Sequence, residues 1–548
     1  MIIRVSDREM SFPEGTVVRE CLEKLNAFPE GTLAALCGGI VLELNEPLCS
    51  DADLTPLTLA HEEGRRVYER SIRFVMLLAL KHLFPGKQVR IEFSAGHGVF
   101  VRVPEVSLCR EDILRIENEM RRLTNLDLPF GKKRWHLEDA IRYFREDGQA
   151  DKTELLRRRA EPSFTMYSLE DMWEYFYGAM TVSTGYVKVF SVIELLDGFV
   201  LQLPDGSDFS RPGPFLYLPK HLSIFAQSAH WCHLLGVNNV SDLARMADEH
   251  SLRNFIRVNE ALHEKAMDEI AERIVQENRH IVLVAGPSSS GKTTFSGRLG
   301  VHLQTYGKHS RRISMDDFFI NRDQIPLQPD GTRDFEDFAI VDLPLLSETI
   351  SELLDGKEVR MPSYNFRTGC REYNTPPVRA KENEILIIEG IHGLNPDLVR
   401  IFPEHEVHRV FISALTCLNL DDHNRIRTTD VRLLRRIVRD KQYRGTSPET
   451  TLALWPSVRR GERKWIFAYQ ENADSVFNSA LHYELLALKP YAYDALLQVS
   501  PASPDYLPAR RLIKFLNYLP DIDPAVWNEI PNLSLLREFI GGCTMEEN

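Results

Sequence analysis

The chain has 548 residues, 26% of them charged, with a formal net charge of −13. A length of this order holds roughly three or four domains, and the acidic balance excludes nonspecific nucleic-acid binding by the whole surface, though not by a local basic patch. The eight cysteines form no C-x-x-C pair, the opening residues soon become charged, and apolar runs such as 74–80 are far too short to span a bilayer, so the expectation is a reduced, cytoplasmic protein with no membrane contact.

Residues 1–60 read as a small β-rich unit. Ile3 and Val5 alternate with Ile2, Arg4 and Ser6, and Phe12-Pro13-Glu14-Gly15-Thr16 supplies a turn before a helix-like run over 17–25. Leu33-Ala34-Ala35-Leu36 and Val41-Leu42-Glu43-Leu44 are short strands on either side of Gly38-Gly39. The β-β-α-β-β order predicts a β-grasp module, a docking unit without chemistry of its own. Residues 61–225 read as α+β. An amphipathic helix over 63–84 stops at Pro85-Gly86, strands over 89–93 and 98–103 form a hairpin, a charged helix covers 111–123, and 204–214 is a turn-rich loop.

This opening half resembles the N-terminal half of threonyl-tRNA synthetase, in which a TGS-type domain precedes an editing domain. The residues that carry the likeness are Glu63-Gly64 at the head of the long helix and Ser94-Ala95-Gly96-His97-Gly98 in the hairpin. The family's H-x-x-x-H falls on Arg70 and Phe74 here, and its C-x-x-x-H on Phe176 and Met180. A metal or hydrolytic site needs those imidazoles and that thiol. The resemblance therefore implies an editing-like domain without editing chemistry, serving as a scaffold or as a groove for a nucleoside-like ligand, RNA or tRNA.

Residues 226–277 are expected to be a helical linker, with a cap at Val240-Ser241-Asp242-Leu243 and helical apolar spacing over 260–274. His230-Trp231-Cys232-His233 is read as a helix face, because neighbouring helical residues point in different directions and no second ligand cluster accompanies them.

From 278 to 495 strands and helices alternate, which predicts a parallel sheet flanked by helices, with strands over 280–285, 311–314, 384–388, 409–412 and 480–485. After the first strand comes Gly286-Pro287-Ser288-Ser289-Ser290-Gly291-Lys292-Thr293-Thr294, then a helix-like segment. Strand, glycine-rich turn and helix match the phosphate loop G-x-x-x-x-G-K-[ST]. The glycines let backbone N–H groups curl round phosphate oxygens, the helix N-terminus favours the anion, Lys292 supplies charge for the β- and γ-phosphates, and Thr293 a hydroxyl for Mg²⁺. Asp316-Asp317 follows the second strand; one carboxylate can be a base toward an alcohol, the other a cap on backbone N–H groups. Ile385-Leu386-Ile387-Ile388-Glu389 is a buried strand ending in the acid that orders Mg²⁺. Tyr364 and Phe366 suit a flat base or plain core packing. Arg432, Arg436 and Arg439 share a helix face, as a lid over ATP or as a solvated basic surface.

These elements resemble the uridine kinase and phosphoribulokinase family, through residues 286–294, Asp316-Asp317-Phe318-Phe319, Asp334-Phe335-Glu336, Pro362-Ser363-Tyr364-Asn365-Phe366, Ile388-Glu389-Gly390 and Arg435-Arg436-Ile437-Val438-Arg439-Asp440. The resemblance implies ATP and Mg²⁺ as cofactors, held by Gly286, Ser288, Ser289, Ser290, Gly291, Lys292, Thr293 and Thr294, with Thr293 and Glu389 toward the metal. It makes Asp316 the base toward a 5′-hydroxyl. Asp334 or Glu336 stands near the ribose, Tyr364 and Phe366 near the nucleobase, and Arg371 close by. Arg436, Arg439 and Arg444 belong to the lid. Two positions depart from the family: Gly369 stands for a histidine after the aromatic pair, and Thr446 for an arginine past the lid. Trp455-Pro456-Ser457-Val458-Arg459-Arg460-Gly461-Glu462 and 530–542 resemble a bacterial subfamily that fuses such a kinase behind synthetase-like domains. Residues 496–548 are expected to be a C-terminal helical extension. The leading expectation is transfer of the γ-phosphate of ATP to uridine or cytidine. The alternatives are a kinase for another small alcohol, or a non-catalytic, nucleotide-regulated RNA- or tRNA-binding protein; a homo-oligomer is compatible with each.

Overall fold

The structure, a computed structural model, describes residues 1–159, 161–204, 208–247, 249–328 and 333–545. Residues 205–207 of the expected loop, 248 of the linking helices and 546–548 of the C-terminal extension lie outside the described residues.

The first sixty residues build one five-stranded sheet, in the order Arg8–Ser11, Ile2–Val5, Ala52–Leu57, Ala34–Cys37, Ile40–Glu43. Helix Val18–Lys24 buries Val18, Cys21 and Leu22 against Ile3, Val5 and Leu54. The strand Ala52–Leu57 corrects the four-strand expectation and lies at the centre, parallel to Ile2–Val5 and antiparallel to Ala34–Cys37. Its inward residues are interrupted by Asp53, Thr55 and Pro56, and proline argues against an interior strand, so its pattern is weak in the sequence.

The long helix Glu62–Leu83 forms the spine of the next unit. Phe74 and Phe176, where the editing family would carry ligands, meet as packed rings 5.4 Å apart, and Met180 is buried with them. These three positions are part of the apolar core. The hairpin Arg90–Ala95 and Gly98–Arg102 belongs to a four-stranded sheet with Ser191–Leu195 and Gly198–Gln202. A three-stranded sheet of Gly131–His136, Ser163–Leu169 and Met172–Glu174 completes the α+β unit.

The remaining large sheet is parallel, in the order Ser310–Ser314, Ile385–Glu389, Ile281–Ala285, Val407–Ser413, Ser475–Asn478. The last strand corrects the expectation over 480–485. The apolar run Leu485-Leu486-Ala487-Leu488 is helical, within Glu484–Leu496, and buries its leucines among other helices. The 28-residue helix Glu249–Gln276 lies along the helix Lys292–Thr305, through Ile270, Ile274 and Phe295 and an Arg298–Glu264 ion pair of 2.6 Å. No helix among the described residues is long and apolar enough to cross a membrane.

A small hairpin, Asn419–Asp421 with Asn424–Arg425, ties the two halves together. Ile91 N–H donates to the Asp422 carbonyl at 2.9 Å, and Asn419 Nδ2 donates to the Ile91 carbonyl at 2.7 Å. Beside it, buried Glu174 accepts from Lys152 and meets His423 Nδ1 at 2.6 Å. Burial alone would raise the Glu174 pKa, but Lys152 and His423 outweigh it and hold the carboxyl at about 2. Removing one partner of a buried ion pair strands the other charge. Glu174→Ala is therefore expected to lower unfolding stability by about 3–5 kcal/mol, measured by urea denaturation at pH 7; a loss below ~1 kcal/mol, the range of exposed pairs, would show that this junction bears little of the stability.

Candidate active site

The strand Ile281–Ala285 is buried on both faces between two parallel neighbours, which fixes the start of the phosphate loop. At Gly286 a Cβ would lie 2.1 Å from the Ile412 carbonyl oxygen, so no side chain fits. Gly291 takes φ +88° and caps the helix Lys292–Thr305 with no side-chain hydrogen bond. That leaves first-turn N–H groups for an anion. The Ser289 and Ser290 hydroxyls are buried without a hydrogen-bond partner among the described residues. Orphaned donors round a helix N-terminus fit a ligand that brings phosphate oxygens.

The other loop groups are engaged from behind. The Ser288 N–H donates to Glu462 Oε1 at 3.1 Å, and its carbonyl accepts from Arg432 Nε at 3.1 Å. Its hydroxyl accepts from Arg436 at 3.0 Å, and the Ser289 carbonyl accepts from Arg435 at 3.4 Å. Thr294 Oγ1 donates to Glu538 Oε2 at 3.0 Å. Lys292 Nζ rests 3.5 Å from the Pro287 carbonyl.

Three carboxyls face the loop. Thr293 Oγ1 donates to Glu389 Oε1 at 2.9 Å, which puts the expected metal pair side by side at the end of its strand. The two aspartates differ in their hydrogen bonding. Asp317 Oδ1 accepts from the Tyr364 N–H at 3.0 Å, whereas the Asp316 carboxylate has no hydrogen-bond donor among the described residues. Burial pushes Asp316 up to about 6; Glu389 adds to the rise and Lys292 opposes it. Glu389 itself is raised by burial against the pull of Lys292 and Thr293. Glu336 is raised to about 7, by burial first, with Arg436 lowering it and Glu462 and Asp316 raising it. Asp334 is spent locally, its Oδ1 accepting from the Glu336 N–H at 3.0 Å. Of that pair, Glu336 has the electrostatic neighbours that define the site.

The aromatic pair also divides. Tyr364 is 7% exposed, packs edge-on to Phe319 and donates its hydroxyl to the Gly369 carbonyl at 3.1 Å. Phe366 is 60% exposed. Arg371 braces the turn before it, donating to the Phe318 and Phe319 carbonyls at 3.2 and 2.9 Å and pairing with Asp342 at 3.0 Å.

The helix Thr428–Tyr443 is not a solvated basic face. Arg432 and Arg435 are 0% exposed, Arg432 paired with Glu462 and Arg435 with Glu484. Arg436 reaches both Ser288 and Asp440, and Arg439 meets Glu538 at 3.2 Å. Arg444 lies at the helix end, half exposed, 3.3 Å from Asp440. Glu462, Glu484 and Glu538 were not singled out from sequence. Glu462 and Glu538 lie in the two stretches 455–462 and 530–542, which carry a subfamily likeness and no motif chemistry.

Among the described residues no group of three or more His, Cys, Asp or Glu side chains forms a metal cage. The hard oxygens of Thr293 and Glu389 fit Mg²⁺ of the kind that keeps phosphate and water oxygens in its shell.

The phosphoribulokinase / uridine kinase family matches residues 281–484. A uridine kinase from Lactobacillus johnsonii is 30% identical over 179 residues, which cover 32% of this chain and 76% of that protein. A threonine–tRNA ligase from Carboxydothermus hydrogenoformans is 28% identical over 193 residues, 34% of this chain but only 30% of the ligase, so the chain spans less than a third of that relative's length. A solved structure described as a possible uridine kinase from Bacillus stearothermophilus covers 39% of this chain and 98% of that one at 18% identity and a TM-score of 0.27, a likeness too slight to bear weight. The family match runs from the strand before the phosphate loop to the glutamate that pairs with Arg435, and the chain belongs to the phosphoribulokinase / uridine kinase family.

Proposed function

We propose that the protein moves the γ-phosphate of ATP to the 5′-hydroxyl of a nucleoside, uridine or cytidine first. The observation that carries this reading is the division of labour between Asp316 and Asp317. A site that only binds or hydrolyses nucleotide has no need of a second carboxylate kept unbonded beside Lys292 and Glu389. In the proposed reaction Asp316 accepts the acceptor's hydroxyl proton as the oxygen attacks phosphorus. Lys292 and the amides of 289–294 hold the triphosphate. Thr293 and Glu389 would hold Mg²⁺, which would neutralise phosphate charge when bound. Arg439 and Arg444 stand on the lid side, where they offset negative charge as the phosphoryl group moves. In this reading Glu336 and Arg436 serve the acceptor side, as do Asp334, Tyr364, Arg371 and the exposed Phe366, which packs edge-on to Tyr364.

One observation favours another small alcohol as acceptor. Gly369 has φ +74°, and a Cβ there would lie 2.7 Å from Arg322. A side chain at 369 would press on Arg322, which argues against base recognition through a histidine at that position. An ATP-coupled assay across the ribonucleosides and small sugar alcohols tests both readings. Turnover on uridine or cytidine supports the first, and turnover only on a non-nucleoside alcohol supports the second. No turnover on any acceptor, together with tight tRNA binding, sinks the kinase reading.

Asp316→Asn is expected to lower kcat about 10²–10⁴-fold with little change in ATP binding, whereas Lys292→Ala is expected to weaken both. Gly286→Ala should lose ATP affinity at least about tenfold, because its Cβ displaces the loop from Ile412; wild-type affinity would show that the loop accommodates the methyl group.

The pH dependence has a definite sign. Asp316 works as a base only when ionised, and its pKa is raised to about 6, so kcat/KM should fall as pH drops through about 6 and level off above it. The Asp316→Asn residual rate should lack that limb. An unchanged acid limb in the variant would assign it to another group.

A further inference from the structure

A large cavity opens away from the phosphate loop. It lies between the long helix Glu62–Leu83 and the C-terminal helices, with a volume of about 810 Å³, within the range of small-molecule sites. Ten Arg and Lys side chains line it against three carboxylates. Some of this charge is matched: Arg66 by Glu62 and Glu63, Arg427 and Arg73 by Glu69, Arg511 by Asp430. Arg70, Arg425, Arg510 and Lys514 have no carboxylate within 4.0 Å among the described residues. Arg70 spends Nε on the Ala179 carbonyl at 2.9 Å, and Arg425 spends one nitrogen on Ser94 Oγ at 2.6 Å. The Arg425 Nε is buried with no hydrogen-bond partner among the described residues. Burial pushes both guanidiniums down to about 10, the sign of cations without a matching anion. The same cavity is walled by Tyr177, Tyr493, Phe515 and Tyr518, rings of the kind on which a base stacks.

We propose that this cavity is a second nucleotide site, distinct from the kinase centre, that takes a nucleoside di- or triphosphate. The phosphates meet Arg70, Arg425, Arg510 and Lys514, and the base lies against the tyrosine wall. Guanidiniums suit phosphate through paired N–H donors, and no monoanion matches four unpaired cations. The site also has a route to the kinase centre. Arg427, which caps the helix Thr428–Tyr443, and Asp430 in its first turn both line the cavity, and the next turns of that helix carry Arg432, Arg435 and Arg436 onto the phosphate loop.

Equilibrium dialysis of the full chain with each of the four radiolabelled ribonucleoside triphosphates tests this. The intact chain is expected to bind two equivalents of at least one of them, and the Lys292→Ala chain one. The remaining site should lose at least tenfold in affinity in a Lys292→Ala/Arg70→Gln chain, and likewise in Lys292→Ala/Lys514→Gln, a change at a partly exposed residue that spares the fold. Thermal melting checks that each variant is folded. A single equivalent in the intact chain with none in Lys292→Ala overturns the proposal, as does a second site indifferent to both substitutions. Inorganic triphosphate binding there as tightly as any nucleotide overturns the nucleotide assignment. A tRNA transcript that binds at Arg70 and Lys514, with no mononucleotide doing so, overturns it in favour of RNA.

Discussion

The site depends on two buried guanidiniums. Arg432 and Arg435 have no exposure to water, and such charges persist in an interior only when paired and hydrogen-bonded. Each meets a glutamate, Glu462 or Glu484, and each donates a further bond to a carbonyl of the phosphate loop. The loop is therefore held by its carbonyl side. Its helix-side amides and the hydroxyls of Ser289 and Ser290 are left toward the ligand. A loop held in this way has its donors oriented before the nucleotide arrives, which is where electrostatic stabilisation is most effective. The same pairs also set what can surround the loop. Glu462 ends the helix Pro448–Glu462, and its neighbour Gly461 must be glycine because a Cβ would press on Glu336 at 2.6 Å. The positioning of the acceptor-side acid thus follows from the packing that completes the ion pair.

The phosphate loop, Asp316-Asp317 and Glu389 were legible because each depends on residues close in sequence: a strand, then a polar group at its carboxyl end, the general location of ligands in parallel sheets. What escaped depends on long-range partners. Glu462 is 174 residues from the Ser288 amide it accepts from, and Glu538 is 244 from Thr294; no local pattern marks a glutamate as the mate of a distant arginine. The arginines themselves were visible as a helical face, but spacing cannot tell a solvated face from a buried one. Strand Ala52–Leu57 was missed for a different reason: it is central in its sheet yet carries a proline and two polar residues. Strand Ser475–Asn478 is only four residues long and sits just before a denser apolar run that is helical.

The N-terminal half is joined to the kinase by burial rather than by a flexible tether. The hairpin 419–425 bonds Ile91 through the Asp422 carbonyl and the Asn419 side-chain amide, and sets His423 against Glu174 and Lys152. Directly after it comes the helix that holds the phosphate loop. Phe74, Phe176 and Met180 are core residues, while Arg66, Arg70 and Arg73 on the same long helix line the cavity beside the kinase. The concave basic surface of this unit abuts the helix that holds the phosphate loop.

The central claim is that the site transfers phosphate to an alcohol rather than releasing it to water. The direct measurement is a balance of products from γ-labelled ATP, with and without the acceptor that the screen selects, counting labelled acceptor and free phosphate. The account predicts one phosphorylated acceptor per ATP consumed, with little phosphate released when acceptor is absent. Free phosphate appearing at the same rate with and without acceptor, and no label on the acceptor, would contradict it.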